Sequence, residues 1–173
     1  MVATAVQSQE VEGSAEHGEE QLVVFTLSSE AYGVDIGTVR EIIRMQDITR
    51  VPRTPECVEG VINLRGKIIP VVDLRRRFGF AVGEESKENR IVVVDTGGQD
   101  VGMVVDAVTE VLRISDEAIE PPSSIVTSAN SDYLQGIAKL ADRLIILLDL
   151  DRVLSLDERR ALASTAATVG TQE

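Results

Sequence analysis

Few side chains in this sequence are of a type and spacing that could do chemistry. The single histidine, His17, lies among Glu10, Glu12, Glu16, Glu19 and Glu20 in a stretch without Lys or Arg. It therefore offers no imidazole to a Ser-His, Cys-His or metal site inside a folded core. Glu16, His17, Glu19 and Glu20 carry the donor atoms for a divalent cation, but a cluster on a mobile segment fixes no coordination geometry. Cys57 follows Pro55 in a proline-rich turn with no histidine to activate it, so a structural thiol is expected there. The segment from Gly60 to Gly66-Lys67-Ile68 superficially has the form of a phosphate loop. Its spacer holds five residues where the loop needs four, and Ile68 replaces the hydroxyl that would hold magnesium. Gly97-Gly98 reads as a tight hairpin turn and not as an anion cradle. Asp116 and Glu117 sit in a polar turn with no sign of the burial that tunes acid and base roles. The sequence predicts a protein that is not an enzyme, with no cofactor and no metal.

Two basic features remain. Arg75-Arg76-Arg77 follows Asp73, and three successive residues on a helix point in three directions, so a solvated face balancing nearby acids is expected. Arg65 is different, because Arg65-Gly66 falls between two apolar runs and would form a hairpin tip or its shoulder. An Arg held on a tight turn can reach either a carboxylate of its own chain or a partner's backbone carbonyls, and the residues alone leave both open.

The elements that must position these groups are short and β-branched. Runs of about five to seven residues, punctuated by Gly, Pro and Asp, follow a strand pattern. They are 22–27, 31–34, 39–44, 60–64, 67–72, 91–96, 100–105, 108–114, 133–139 and 144–148. The third is ambiguous, since Ile36, Val39 and Ile43 also suit one helix face. An internal comparison decides it. A shift of 69 places Val23, Val24, Gly33, Val39 and Glu41 on Val92, Val93, Gly102, Val108 and Glu110. A shift of 76 places Gly60, Leu64, Ile69, Asp73, Leu74 and Arg76 on Gly136, Leu140, Ile145, Asp149, Leu150 and Arg152. The second half thus reads as a diverged copy of the first, and segment 35–44 as a helical turn leading into a strand. Each half ends in a strand followed by Asp73-Leu74 or Asp149-Leu150, where the Asp is a good helix N-cap. Five short strands per half cannot bury both faces as an open sheet and are expected to close into barrels. The fold expected is mainly β, two small five-stranded barrels side by side with short helices.

Composition sets the remaining bounds. The chain has 173 residues and a net charge of −12, so phosphate backbones are repelled and no nucleic-acid partner is expected. A small barrel binding single strands would also want aromatic platforms, and there are only three Phe, two Tyr and no Trp. No apolar stretch approaches the roughly 20 residues of a membrane span, and no secretory signal is visible, so a cytoplasmic address is expected. Residues 1–20 are expected to be a disordered acidic tail, 21–155 one domain in halves 21–80 and 90–155, and 156–173 a helical or frayed tail.

The ordered set of motifs resembles the CheW family of bacterial chemotaxis coupling proteins. The residues that carry the resemblance include Tyr32-Gly33-Val34-Asp35-Ile36, Val39-Arg40-Glu41-Ile42, Thr49-Arg50-Val51-Pro52, Gly60-Val61-Ile62-Asn63-Leu64-Arg65-Gly66 and Ile69-Pro70-Val71-Val72-Asp73-Leu74-Arg75. Gly102, Val104-Val105-Asp106, Glu110-Val111, Gly136 and Leu144-Ile145-Ile146-Leu147 continue it. The resemblance implies two SH3-like barrels forming a non-catalytic adaptor. It would join the hairpin tips of methyl-accepting chemoreceptors to the regulatory domain of a CheA-type histidine kinase, in the cytoplasm at membrane-associated arrays, with no direct membrane insertion. The free protein is expected to be a monomer. By resemblance, the receptor-facing groove uses Val39, Glu41, Gly60, Arg65, Gly66, Ile91 and Val92. Val39, Ile91 and Val92 would be its apolar floor, although the bare residues favour ordinary barrel core for those three. A coupler of a non-flagellar chemosensory pathway, serving surface motility or development, would have the same sequence features.

Overall fold

A computed structural model describes residues 18–54, 57–121 and 133–153. His17 and the tail 156–173 lie outside the described residues. Among the described residues eleven strands are present: β1 (Glu19–Leu27), β2 (Glu30–Asp35), β3 (Val39–Arg44), β4 (Val58–Leu64), β5 (Lys67–Asp73), β6 (Arg90–Thr96), β7 (Gln99–Val105), β8 (Ala107–Ser115), β9 (Ile119–Glu120), β10 (Leu134–Lys139) and β11 (Leu144–Leu148). Two one-turn helices, α1 (Leu74–Arg77) and α2 (Leu150–Val153), end the halves. All ten expected strands are found, and the two-residue β9 is additional. A 3-10 turn over Ile36–Thr38 leads into β3, as the internal comparison required.

Glu19 and Glu20, expected in a disordered tail, are in a strand, and residues 1–17 lie outside the described residues. Glu19 and Glu20 open β1 in register with Ser115 and Ile114, and the Arg113 guanidinium meets Glu19 at 3.4 Å. Glu20 is partly buried, which with Asp116 and Asp35 nearby raises its carboxyl above the ordinary range.

The strands form a six-stranded sheet in the order β8-β1-β2-β11-β10-β9 and a five-stranded sheet in the order β3-β6-β7-β5-β4. Two β units stand side by side as expected, but halves 21–80 and 90–155 do not each close on themselves. The first hairpin of each half inserts into the sheet of the other: β1-β2 between β8 and β11, and β6-β7 between β3 and β5. The duplication is nevertheless real, because the registers superimpose. Val71↔Gly102 repeats as Leu147↔Gly33, and Glu41↔Val93 as Glu110↔Val24. The bulges at Arg40 and Thr109 also correspond, as do the register shifts between Val58/Gly60 and Leu134/Gly136.

The exchange explains why β1 and β6 read as unbroken apolar runs. Leu22 and Val24 point into one barrel interior with Ile145 and Leu147, and Ile91 and Val93 into the other with Ile62, Ile69 and Val71. The intervening Val23, Phe25, Val92 and Val94 meet in a third cluster shared by both sheets, so neither strand has a solvent face. All five aromatic rings of the chain adjoin it. Phe25, Tyr32, Phe78, Phe80 and Tyr133 form one contact chain, the closest pair being Phe78 and Tyr133 at 4.6 Å. Burial there pushes the Tyr32 phenol up to about 12, Tyr133 and Glu30 adding to the effect.

The sheets are not the closed five-stranded barrels expected: the end strands of each do not form a ladder with each other, and only the chain running on from β8 and from β3 bridges the gap. β9 continues β8 through the turn at Asp116–Ala118 and pairs with β10. In the other sheet Thr49, downstream of β3, exchanges two 2.8 Å hydrogen bonds with Val61 on β4. Both closures need a glycine beneath them. A Cβ on Gly60 (φ +148°) would lie 2.1 Å from the Thr49 carbonyl oxygen, and one on Gly136 would lie 2.9 Å from Ile119 Cγ2.

Arg75 departs from the solvated face expected of its run. Asp73 caps α1 as expected, accepting from the Arg75 amide at 2.9 Å. The Arg75 guanidinium, almost fully buried, donates to both Asp73 oxygens at 2.9 Å and to Asp106 at 3.1 Å. Asp106 in turn accepts from the Ser28 amide at 2.7 Å. One guanidinium thus ties the end of the first half, the start of β8 and the β1-β2 turn, and the run's solvated member is the half-exposed Arg76.

Two stability measurements follow from this arrangement. Gly60→Ala is expected to cost about 3 kcal/mol or more in urea unfolding, and Gly136→Ala, whose backbone is not left-handed, less. Arg75→Ala should cost about 3 to 5 kcal/mol by stranding two carboxylates, while Arg76→Ala should cost less than about 1 kcal/mol.

Candidate functional site

The exposed functional groups gather where β3 passes the β4-β5 turn. Leu64 pairs with Lys67, leaving Arg65 and Gly66 as a two-residue loop with φ of 54° and 86°. Positive φ at both positions is the geometry that matches the twist of a tight hairpin, and it is strained for an Arg. Asn63 steadies the turn by accepting from the Gly66 amide at 2.8 Å. The Arg65 side chain projects from it, 71% exposed, and grips Glu41 on β3 with both terminal nitrogens, Nη1 to Oε1 at 3.2 Å and Nη2 to Oε2. The hydrogen bonds from Arg65 hold the Glu41 carboxyl below its ordinary range. Of the two roles left open for Arg65, the internal ion pair is present, and its exposure leaves the outer face of the guanidinium accessible.

The bulge on β3 adds what the sequence reading missed. Arg40 lies unpaired between Val39↔Val94 and Glu41↔Val93, which turns its side chain toward Asp95 at 3.3 Å and Asp100 at 3.1 Å. Lys67 also reaches Asp100, at 2.9 Å. Beside Glu41, Ile42 is one of the few large apolar side chains left exposed. The alternation of β3 contained Ile42, but only the bulge decides which way Arg40 faces, and a bulge has no sequence signature here.

The other expected site residues are dispersed. Val39 is half-buried against the shared cluster. Ile91 and Val92 are 0% and 2% exposed on opposite faces of β6, so they are core and give no groove floor. The room above Gly60 is filled by the chain's own Thr49 backbone. The structure therefore brings together Glu41, Arg65 and Gly66, with Val39 along the same strand, and takes Gly60, Ile91 and Val92 inward. The second copy repeats the ion pair, Glu110 on β8 meeting Arg143 of the β10-β11 loop at 2.5 Å.

What this edge offers is recognition by charge and a small apolar contact. Among the described residues no group of His, Cys, Asp and Glu is arranged to hold a metal ion, and no helix is long and apolar enough to cross a membrane. The Lys67 ammonium, aided by Arg40, holds the Asp100 carboxyl below its ordinary range against the opposing effect of burial. A depressed carboxyl stabilises the fold fully above its unfolded value and loses that contribution as pH falls through the folded value. Lys67→Met is expected to move the Asp100 carboxyl titration, followed by NMR, to higher pH.

Comparison with known proteins agrees with these features. Residues 21–158 match the family model of the CheW-like domain. The chemotaxis protein CheW of Klebsiella aerogenes is 38% identical over 148 residues, covering 85% of this chain and 89% of that protein. The chemotaxis protein CheW of Thermotoga maritima is 37% identical over 134 residues, covering 78% and 87%. Among solved structures, the scaffolding protein TtCheW of Thermoanaerobacter tengcongensis is similar with a TM-score of 0.74 and 45% identity, over 80% of this chain and 94% of that one. The fold, the doubled architecture and these matches together establish that the chain belongs to the CheW family.

Proposed function

We propose that this chain is a non-catalytic adaptor that couples the cytoplasmic hairpin tips of methyl-accepting chemoreceptors to the regulatory domain of a CheA-type histidine kinase. Its place of action is the cytoplasmic face of receptor arrays. The observation that supports this reading is the edge formed by β3 and the β4-β5 turn, where the Arg65 guanidinium, fixed by Glu41, stands exposed, with Ile42 exposed on the other face of β3. Family membership supports these partners, and the edge offers a charged surface on which to meet them. A receptor tip is a helical hairpin, and Val39 and Ile42 provide apolar contact for a helix while Glu41 and Arg65 select its charge. Gly66, without a side chain, lets a partner backbone approach the turn.

Coupling by such an adaptor is a matter of linkage. The scaffold need perform no reaction; it has to bind the kinase's on and off arrangements with different free energies when the receptor changes state. The stiffness of the edge serves this, because both residues of the ion pair sit on hydrogen-bonded strands or a tight turn.

Arg65→Glu places two carboxylates face to face at the edge while leaving both barrel interiors untouched. Binding to receptor fragments or to the kinase regulatory domain, measured by calorimetry, is expected to weaken roughly tenfold or more, with circular dichroism unchanged. Normal affinity for both partners in a folded Arg65→Glu chain would remove this edge from the account.

A further inference from the structure

The seams that join the two halves make no use of the halves being on one chain. They are four ladders, β1 with β8, β2 with β11, β3 with β6 and β5 with β7. Ion pairs add to them: Arg75 with Asp106, Arg40 with Asp95 and Asp100, Lys67 with Asp100 and Arg113 with Glu19 each join one half to the other. The covalent link between the halves is by contrast slight. After α1, residues 81–88 are exposed throughout. The connector is held by the rings of Phe78 and Phe80 at one end and by the Asn89 amide, donating to the Asp106 carbonyl at 3.0 Å, at the other.

We propose that two copies of this chain fold by exchanging halves, the first half of each completing both barrels with the second half of the other. The occupant of each half's open seams is then a second copy of this chain. Every ladder, the shared apolar cluster and the Arg75 bridge are preserved, because each already joins a first half to a second half. Only the path of the connector and the entropy of bringing two chains together differ, which is the condition under which exchange of an identical element is cheap. In the unfolded chain a short connector supplies its partner at an effective concentration on the order of mM, so exchange competes with closure when chains fold near that concentration. Once folded, the two forms do not interconvert readily, since passage between them opens all four ladders at once. Dilute chains fold as monomers, and an exchanged dimer presents two complete Arg65-Glu41 edges joined by two connectors.

The test uses two full-length variants with one new thiol each. Arg44 and Arg90 face each other across β3 and β6, one from each half, and Cys57 is buried from a maleimide. Arg44→Cys and Arg90→Cys chains are unfolded together, refolded at concentrations from micromolar to about 1 mM, and treated with a short bis-maleimide. The expected result is a covalent species of twice 18.7 kDa on a denaturing gel, rising with refolding concentration and absent when the separately folded variants are mixed. Cross-linking no greater than in that mixture at every concentration would overturn the proposal. A dimer seen by light scattering without the covalent species would overturn it equally, since that dimer would be held by surfaces and not by exchange.

Discussion

The burial of β1 and β6 on both faces is the constraint on which the rest of the molecule depends. A strand whose alternate residues enter two different apolar clusters must be covered by two layers, and a half-length unit has only one to offer. Each half meets the requirement by placing its first hairpin in the other half's sheet, so that Val23 and Phe25 face Val92 and Val94 across one shared core while their neighbours fill separate interiors. The near-identity of registers in the two sheets, down to the bulges, shows that this exchange is the same structural solution applied twice. The Arg75 bridge and the aromatic cluster then lock the ends of the exchanged pieces.

This origin accounts for the character of the exposed edge. With the space between the barrels filled by core, the proposed recognition falls at a rim, and the tight β4-β5 turn is a rim whose backbone fixes the side chain it carries. Arg65 occupies left-handed backbone that costs stability, and its carboxylate partner on the neighbouring strand holds it in one place. An adaptor needs that kind of surface: preformed, charged and mounted on hydrogen-bonded strands, with nothing reactive in it.

Strand existence was legible in the sequence because β-branched runs between Gly, Pro and Asp leave few alternatives, and the hairpins are marked by Gly66 and by Gly97-Gly98, glycines that accept positive φ. The offsets of 69 and 76 exposed the duplication as well. Strand neighbours were hidden, because alternation says which side chains are inward and is silent on which strand lies alongside; hence the two self-contained halves that the structure corrects. The resemblance put Ile91 and Val92 in the groove where the bare residues favoured core, and both are buried because β6 has two inner faces. Arg75 looked solvated because its second partner, Asp106, belongs to the other half and no local pattern announces it. Arg65 was marked by its place on a tight turn and Glu41 by resemblance, whereas Arg40, Lys67 and Ile42 depend on a bulge and on cross-strand neighbours that only the fold defines.

The central claim is that this scaffold transmits a receptor signal to a kinase without performing chemistry of its own. The most direct measurement is autophosphorylation of the cognate CheA-type kinase with receptor cytoplasmic fragments, in the presence and absence of the wild-type chain. The account predicts that receptor-dependent stimulation appears only when the chain is added and saturates as its binding to the kinase regulatory domain saturates. Kinase activity that responds to receptor fragments equally well without the chain would contradict it.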